Sequence, residues 1–169
     1  PFLDGNGRMG RLLITLFLAS KKILHTPCLY ISAYLQRHRG AYYASLAKIS
    51  KNNDWNTWIS FFLRAVVEHS KANASLLMKM TDLYEISKTQ FAEATNSSLA
   101  MELLDYLFAQ PIFTVPNLIN QTKVKASKAT LLLAVQKLEK AGLVTKISEG
   151  RGRRPTVWKF GALVDLIQD

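Results

Sequence analysis

Apolar positions change their period along the chain, and the changes divide it. Over residues 12–19, Leu12, Leu13, Ile14, Leu16, Phe17 and Leu18 cover almost every face of a helix. Such a helix calls for burial all round. The rest of the chain offers few partners for it, so helices upstream of Pro1 are expected to supply them. A helix follows over 29–39, with Tyr30, Tyr34 and the basic pair Arg37 and Arg39, interrupted at Gly40. Another spans 41–51. Asp54 suits an N-cap, and from Trp55 a helical pattern runs towards Ala94 through Trp58, Phe61, Phe62, Ala65 and Val66, then Leu76, Leu77, Met80, Leu83 and Tyr84. No two-residue period occurs in this part, which predicts an all-α segment.

Beyond the T-N-S-S stretch at 95–98 the pattern changes. A helix is expected over 99–108 and a short one over 114–120, capped by Thr114. Ser127 caps an amphipathic helix over 128–141, and Gly142 closes it where a left-handed residue costs least. Residues 143–148 and 156–160 are short β-like runs joined by the basic Glu149-Gly-Arg-Gly-Arg-Arg154. Three helices and a basic hairpin predict a winged helix-turn-helix. The expected fold class is therefore mostly α, with an all-α segment over 1–97 and a winged helix-turn-helix with a small β-hairpin wing over 98–169.

Composition narrows the partners. Of 169 residues, 49% are apolar, enough to bury a core. The formal net charge of +10 favours anions such as nucleotides, nucleic acid or an acidic protein face, without choosing among them. Cys28 is the sole cysteine, which excludes an internal disulfide and a thiolate metal cluster. With no signal peptide and no apolar run of membrane-spanning length, a cytoplasmic location and no membrane partner are expected. Self-association through the apolar first helix is a further expectation.

The chemistry concentrates at the start. Gly5-Asn6-Gly7 lets successive backbone N–H groups converge on one point, and the helix beginning near Arg8 adds its positive dipole end. Arg8 and Arg11, three residues apart, share a helical face and can both reach phosphate oxygens. Asp4 beside them could hold Mg²⁺, which bridges to phosphates. On local physics alone, a Mg²⁺-polyphosphate cradle and a plain glycine turn with solvent-facing arginines stand about level.

The segment from Pro1 to Arg11, P-F-L-D-G-N-G-R-M-G-R, resembles the signature of the Fic family. That signature reads His, any residue, Phe, any residue, Asp or Glu, Gly-Asn-Gly-Arg, two of any kind, Arg, and every fixed position after the first is matched. A-Y-Y-A-S-L at 41–46 and D-W-N-T-W at 54–58 are similar to the helices that follow the loop in that family. The resemblance implies that 1–97 is the later part of an all-α Fic domain, whose members transfer AMP from ATP to a hydroxyl side chain of a target protein. It implies Asp4 on Mg²⁺, Gly5, Asn6 and Gly7 as the anion nest, Arg8 on the triphosphate, Arg11 on the γ-phosphate and Phe2 anchoring the loop. Tyr42 or Tyr43 would lie near the nucleoside. ATP and Mg²⁺ are the implied cofactors, and a protein with a Ser, Thr or Tyr acceptor the implied partner.

The family's histidine, the general base, would stand immediately before Pro1. His25, His38 and His69 lie elsewhere and read as ordinary surface or helix residues, so this chain is expected to be inactive while its parent is an enzyme. Thr145-Lys-Ile-Ser-Glu149-Gly150 fits the string of the inhibitory helix found in Fic proteins, but Glu149 falls at the tip of an expected hairpin. In the winged helix, Lys123, Lys125, Ser127 and Lys128 at the entrance of the recognition helix and Arg151, Arg153 and Arg154 on the wing are candidate DNA contacts. Leu131, Leu132, Leu133, Val135 and Leu138 read as core, which leaves DNA binding balanced against protein docking. The alternative to an adenylyltransferase is a DNA-binding transcriptional regulator whose Fic module senses nucleotide or is inactive.

Overall fold

A computed structural model describes residues 3–25, 29–121, 126–152 and 154–168. Phe2, Cys28, Lys123, Lys125 and Arg153, singled out above, lie outside the described residues. The chain is mostly helical and divides into two compact units, Pro1–Ser75 and Leu76–Asp169. Among the described residues, no helix is long and apolar enough to cross a membrane.

The first unit holds α1 (Asn6–Ser20), α2 (Ser32–Arg37), α3 (Arg39–Asn52) and the first half of α4 (Trp55–Thr95). Its small core gathers Leu29, Ile31, Tyr34, Leu35 and Ala65, with Leu18, Tyr42, Phe61 and Phe62 packed around them. α1 buries none of its residues fully: Leu12, Leu13, Leu16 and Phe17 are all exposed within the described chain. Its C-terminus is nevertheless well finished. Lys22 takes a left-handed conformation (φ 57°), and the N–H groups of Lys22 and Ile23 donate to the carbonyls of Ala19 and Leu18, the paired bonds of a Schellman stop.

The second helix is shorter than the pattern 29–39 implies, and the break falls at His38 instead of Gly40. His38 leaves helical geometry at φ −107°, ψ 34°, with Nδ1 3.0 Å from the Tyr34 carbonyl and its ring stacked on Tyr34 at 4.1 Å. Gly40 sits harmlessly in the first turn of α3. Asn53, at φ 54°, ends α3. Asp54 then starts α4, accepting from the Thr57 N–H at 3.0 Å and the Thr57 hydroxyl at 2.6 Å. These bonds, the hydroxyl's foremost, hold its carboxyl below the usual range.

The second unit takes the last part of α4, then α5 (Ala100–Ala109), β1 (Ile112–Phe113), α6 (Val115–Gln121), α7 (Lys128–Lys140), β2 (Thr145–Ser148), β3 (Val157–Lys159) and α8 (Gly161–Gln168). From α5 onward this is the element order of a winged helix-turn-helix. The sheet is antiparallel in the order β1-β3-β2, with Phe113 opposite Trp158 and Lys146 opposite Trp158. Leu103, Leu104, Leu107, Leu118, Leu131, Leu138, Trp158, Phe160 and Leu163 form one core with Phe91 of α4. The composition shift at 95–98 marks the break between α4 and α5, whereas the compact unit begins earlier because Met80, Leu83, Tyr84 and Phe91 pack into its core. Lys137 Nζ also donates to the Thr95 carbonyl at the end of α4, at 2.9 Å.

Both expected caps form: Thr114 Oγ1 accepts from the Asn117 N–H and Ser127 Oγ from the Thr130 N–H. Gly142 (φ 75°) closes α7, with Gly142 N–H on the Glu139 carbonyl and Leu143 N–H on that of Leu138. That stop engages the first residues of the expected β-run, so β2 begins only at Thr145. β1 and α8 were not anticipated. β1 is two residues long, and its partner β3 lies more than forty positions on, so no local period betrays it. Along α7, Leu131, Val135 and Leu138 are buried as expected, but Leu132 and Leu133 face solvent. Leu131→Ala should therefore cost about 2–5 kcal/mol of stability and Leu133→Ala no more than about 0.5 kcal/mol, as read from urea-unfolding midpoints of NMR signals from α7.

Candidate functional site

Gly5 makes the turn into α1. At φ 82° it occupies the left-handed region that L side chains enter at a cost, and its carbonyl accepts the first helical bond, from Met9 N–H at 3.0 Å. The N–H groups of a helix's first turn have no partner within the helix, which makes the junction receptive to anions. Asp4 bends back over it: Oδ1 accepts from the Gly5 N–H at 2.6 Å, while Oδ2 lies 3.6 Å from Arg8 Nη2. Both side chains are largely exposed, so the ion pair contributes little to stability. A side chain at position 7 would meet Arg11 Nη1 at 3.3 Å, so glycine there keeps space for that guanidinium.

Arg8 and Arg11 line an open cleft of about 950 Å³. One set of lining residues comes from α1, including Leu12, Thr15 and Leu16. The other comes from Leu29–Ser32 and the helices after it: Leu35, Gln36, Arg39, Tyr42 and Tyr43. Thr15 Oγ1 donates to the Leu29 carbonyl at 2.6 Å, tying α1 to the connecting segment. The structure thus brings Arg8, Arg11, Tyr42 and Tyr43 into one cleft. Asp4, Gly5, Asn6 and Gly7 stand at the turn that carries the arginines and are not among the lining residues. Arg39, read from the sequence only as half of a basic pair, lines the cleft too. Its position at the head of α3, one turn before Tyr43, was the signal available.

None of the described histidines lines this cleft. His69 is not a lining residue; its Nε2 receives the backbone N–H of Tyr30 at 3.2 Å and lies 3.2 Å from Asn73 Nδ2. A backbone N–H can only donate, so Nε2 is unprotonated and the proton of the neutral ring sits on Nδ1. Burial, and then the charge of Arg37, lowers the pKa of His69.

Among the described residues no three His, Cys, Asp or Glu side chains cluster as a metal cage. Asp4 alone offers a carboxylate at the turn, which suits Mg²⁺ taking its remaining ligands from phosphate and water. In the second unit Ser127 and Lys128 stand exposed at the start of α7, and Arg151 and Arg154 are exposed on the β2–β3 connection. Arg154 N–H donates to the Arg151 carbonyl at 3.1 Å, closing the tip. Gly150 is required there, because a Cβ would lie 2.7 Å from the Arg154 carbonyl oxygen. Glu149 follows the end of β2 and is not helical, as expected of it.

No protein-family model matches the chain.

His69 supplies a pH test. Its folded pKa lies below the ordinary 6.5, so the unfolded chain binds the extra proton first as pH falls. The stability this neutral ring contributes should be complete above pH 6.5 and be lost as pH drops from there through the folded pKa. An NMR titration of the ring should report a pKa under 6.5, and His69→Gln should flatten the acid side of the stability profile.

Proposed function

We propose that the protein carrying this chain is an ATP-dependent protein adenylyltransferase of Fic type, that residues 1–97 are the later part of its Fic domain, and that Gly5, Asn6, Gly7, Arg8 and Arg11 form its phosphate site. The observation that carries this reading is the meeting of Arg8 and Arg11 with Tyr42 and Tyr43 in one cleft. Two cations at a helix start and two aromatic rings on the facing lining residues suit a molecule that is anionic at one end and flat at the other. Arg8, Arg11 and the first turn of α1 would hold the polyphosphate, with Asp4 on its Mg²⁺. Bound ATP would supply the AMP group and the pyrophosphate leaving group. The residue expected to take the proton from the attacking Ser, Thr or Tyr hydroxyl is the family's histidine, at the position before Pro1. Arg8 would stabilise charge that grows on the phosphates during transfer.

The test uses protein extended upstream of Pro1, incubated with Mg²⁺ and ATP labelled at the α-phosphate. Covalent label on protein is expected, and Arg8→Ala should reduce it by about a hundredfold or more. Label that persists undiminished in the Arg8 variant would overturn the assignment.

A second reading applies to the second unit, favoured by its winged-helix element order and by the exposure of Ser127, Lys128, Arg151 and Arg154. These residues suit contacts to a nucleic-acid backbone, which position without reading sequence. Duplex DNA binding should then weaken linearly in log salt, and Arg151→Ala with Arg154→Ala should reduce that slope by about one for each phosphate left without its arginine. An electrophoretic shift that ignores both substitutions would remove the wing from any DNA interface.

A further inference from the structure

Tyr42 and Tyr43 differ in what they present to the cleft. Tyr42 is half-buried, its ring 5.7 Å from Trp58 and 6.4 Å from Phe61. Tyr43 is the more exposed, and the guanidinium carbon of Arg39 lies over its ring, 5.5 Å from the centroid. Tyr42 neighbours it at 5.2 Å with the rings inclined by 59°. Arg39 and Tyr43 both line the cleft, so the surface offered there includes a guanidinium held on an aromatic ring. Such a guanidinium is planar, weakly hydrated for a cation, and a good surface on which bases stack. The phosphate-binding cations are already provided by Arg8 and Arg11 on α1, whereas Arg39 belongs to α3 among the tyrosines.

We propose that Arg39, held on Tyr43, is the platform on which the nucleobase stacks, and that it determines specificity by favouring purines, whose larger rings cover more of it. The proposal rests on reading the cleft as a nucleotide site. It makes Arg39 a reader of the base and not a third phosphate cation, and the two roles respond differently to substitution. A phosphate cation acts on any polyphosphate, and lysine in its place keeps the charge though not the fork. A stacking plane is not replaceable by lysine and is indifferent to a ligand without a base.

Calorimetric titration of the protein extended upstream of Pro1 with Mg²⁺·ATP, Mg²⁺·CTP and Mg²⁺·tripolyphosphate separates them. ATP should bind more tightly than CTP. Arg39→Ala and Arg39→Lys should each weaken ATP by about tenfold, narrow the gap to CTP, and leave tripolyphosphate within about twofold. Arg8→Ala should weaken all three. Arg39 is exposed at the start of its helix, and unchanged circular dichroism would show that its variants keep the fold. The platform is overturned if Arg39→Ala weakens tripolyphosphate as much as ATP, if Arg39→Lys restores ATP binding, or if neither variant differs from the unsubstituted protein. In each of those cases the nucleotide site itself stands. Binding of neither ATP nor tripolyphosphate by the unsubstituted protein would instead overturn the nucleotide reading and Arg39's role with it.

Discussion

Thr15 Oγ1 donates to the Leu29 carbonyl at 2.6 Å, and the two sets of cleft-lining residues meet at that bond. α1 needs such a tie because its own burial does little to hold it: none of its residues is fully buried, and Leu18 is its contribution to the surrounding core. A helix that buries so little apolar surface gains correspondingly little from solvent exclusion. The hydroxyl–carbonyl bond is partly buried, where competing water is reduced and its strength rises. Arg8 and Arg11 stand seven and four residues ahead of Thr15 on α1, so their placement against the tyrosines is inherited from this point. The Schellman stop at Lys22 serves the same end by directing the chain out of α1 towards the segment that supplies Leu29, Tyr30 and Ile31.

The parts of this molecule that were legible in the sequence are those governed by neighbours along the chain. Asp54, Thr114, Ser127 and Gly142 act through residues three or four positions away, and each does what its type implies. The turn into α1 belongs to the same class, since Gly5, Asp4 and Arg8 lie within five consecutive residues. What escaped depends on distant partners. β1 exists because Ile112 and Phe113 pair with Lys159 and Trp158. Leu132 and Leu133 extend the apolar run of α7, yet a helix has only one face for a core, and Leu131, Val135 and Leu138 already fill it. Arg39 went unassigned for a related reason: its meaning lies in a ring one turn away and in a cleft whose other lining residues come from α1.

The break at His38 shows how a small local preference can reset the wall of a cleft. Had the second helix continued to Gly40, as its pattern allows, the register of everything after it would differ. Instead the His38 ring stacks on Tyr34, itself buried in the first unit's core, and Nδ1 lies within hydrogen-bonding distance of the Tyr34 carbonyl. The chain leaves helical geometry for one residue and re-enters it at Arg39. That places Arg39 at the head of a new helix, with Tyr42 and Tyr43 in its first turn and the next. Gly40, the obvious breaker by residue type, has no part in this, since glycine weakens a helix without dictating where it ends.

A site is only as well positioned as the packing behind it. From Tyr43 a run of rings leads inward: Tyr42 at 5.2 Å, Trp58 5.7 Å from Tyr42, Phe61 6.1 Å from Trp58, and Tyr34 6.1 Å from Phe61. Each separation lies in the range where aromatic pairs favour tilted or offset contact, and the run ends on Tyr34, the ring against which His38 stacks where α2 stops. The flexible partner in this arrangement is Arg39, whose long side chain would otherwise sample many rotamers. Held over Tyr43, it inherits the position of a ring that leans on half-buried Tyr42. The exposed tip of the cleft therefore differs in kind from the surface arginines of the wing: Arg151 and Arg154 are ordered by a backbone turn, whereas Arg39 is ordered through its guanidinium, the group that would meet a ligand.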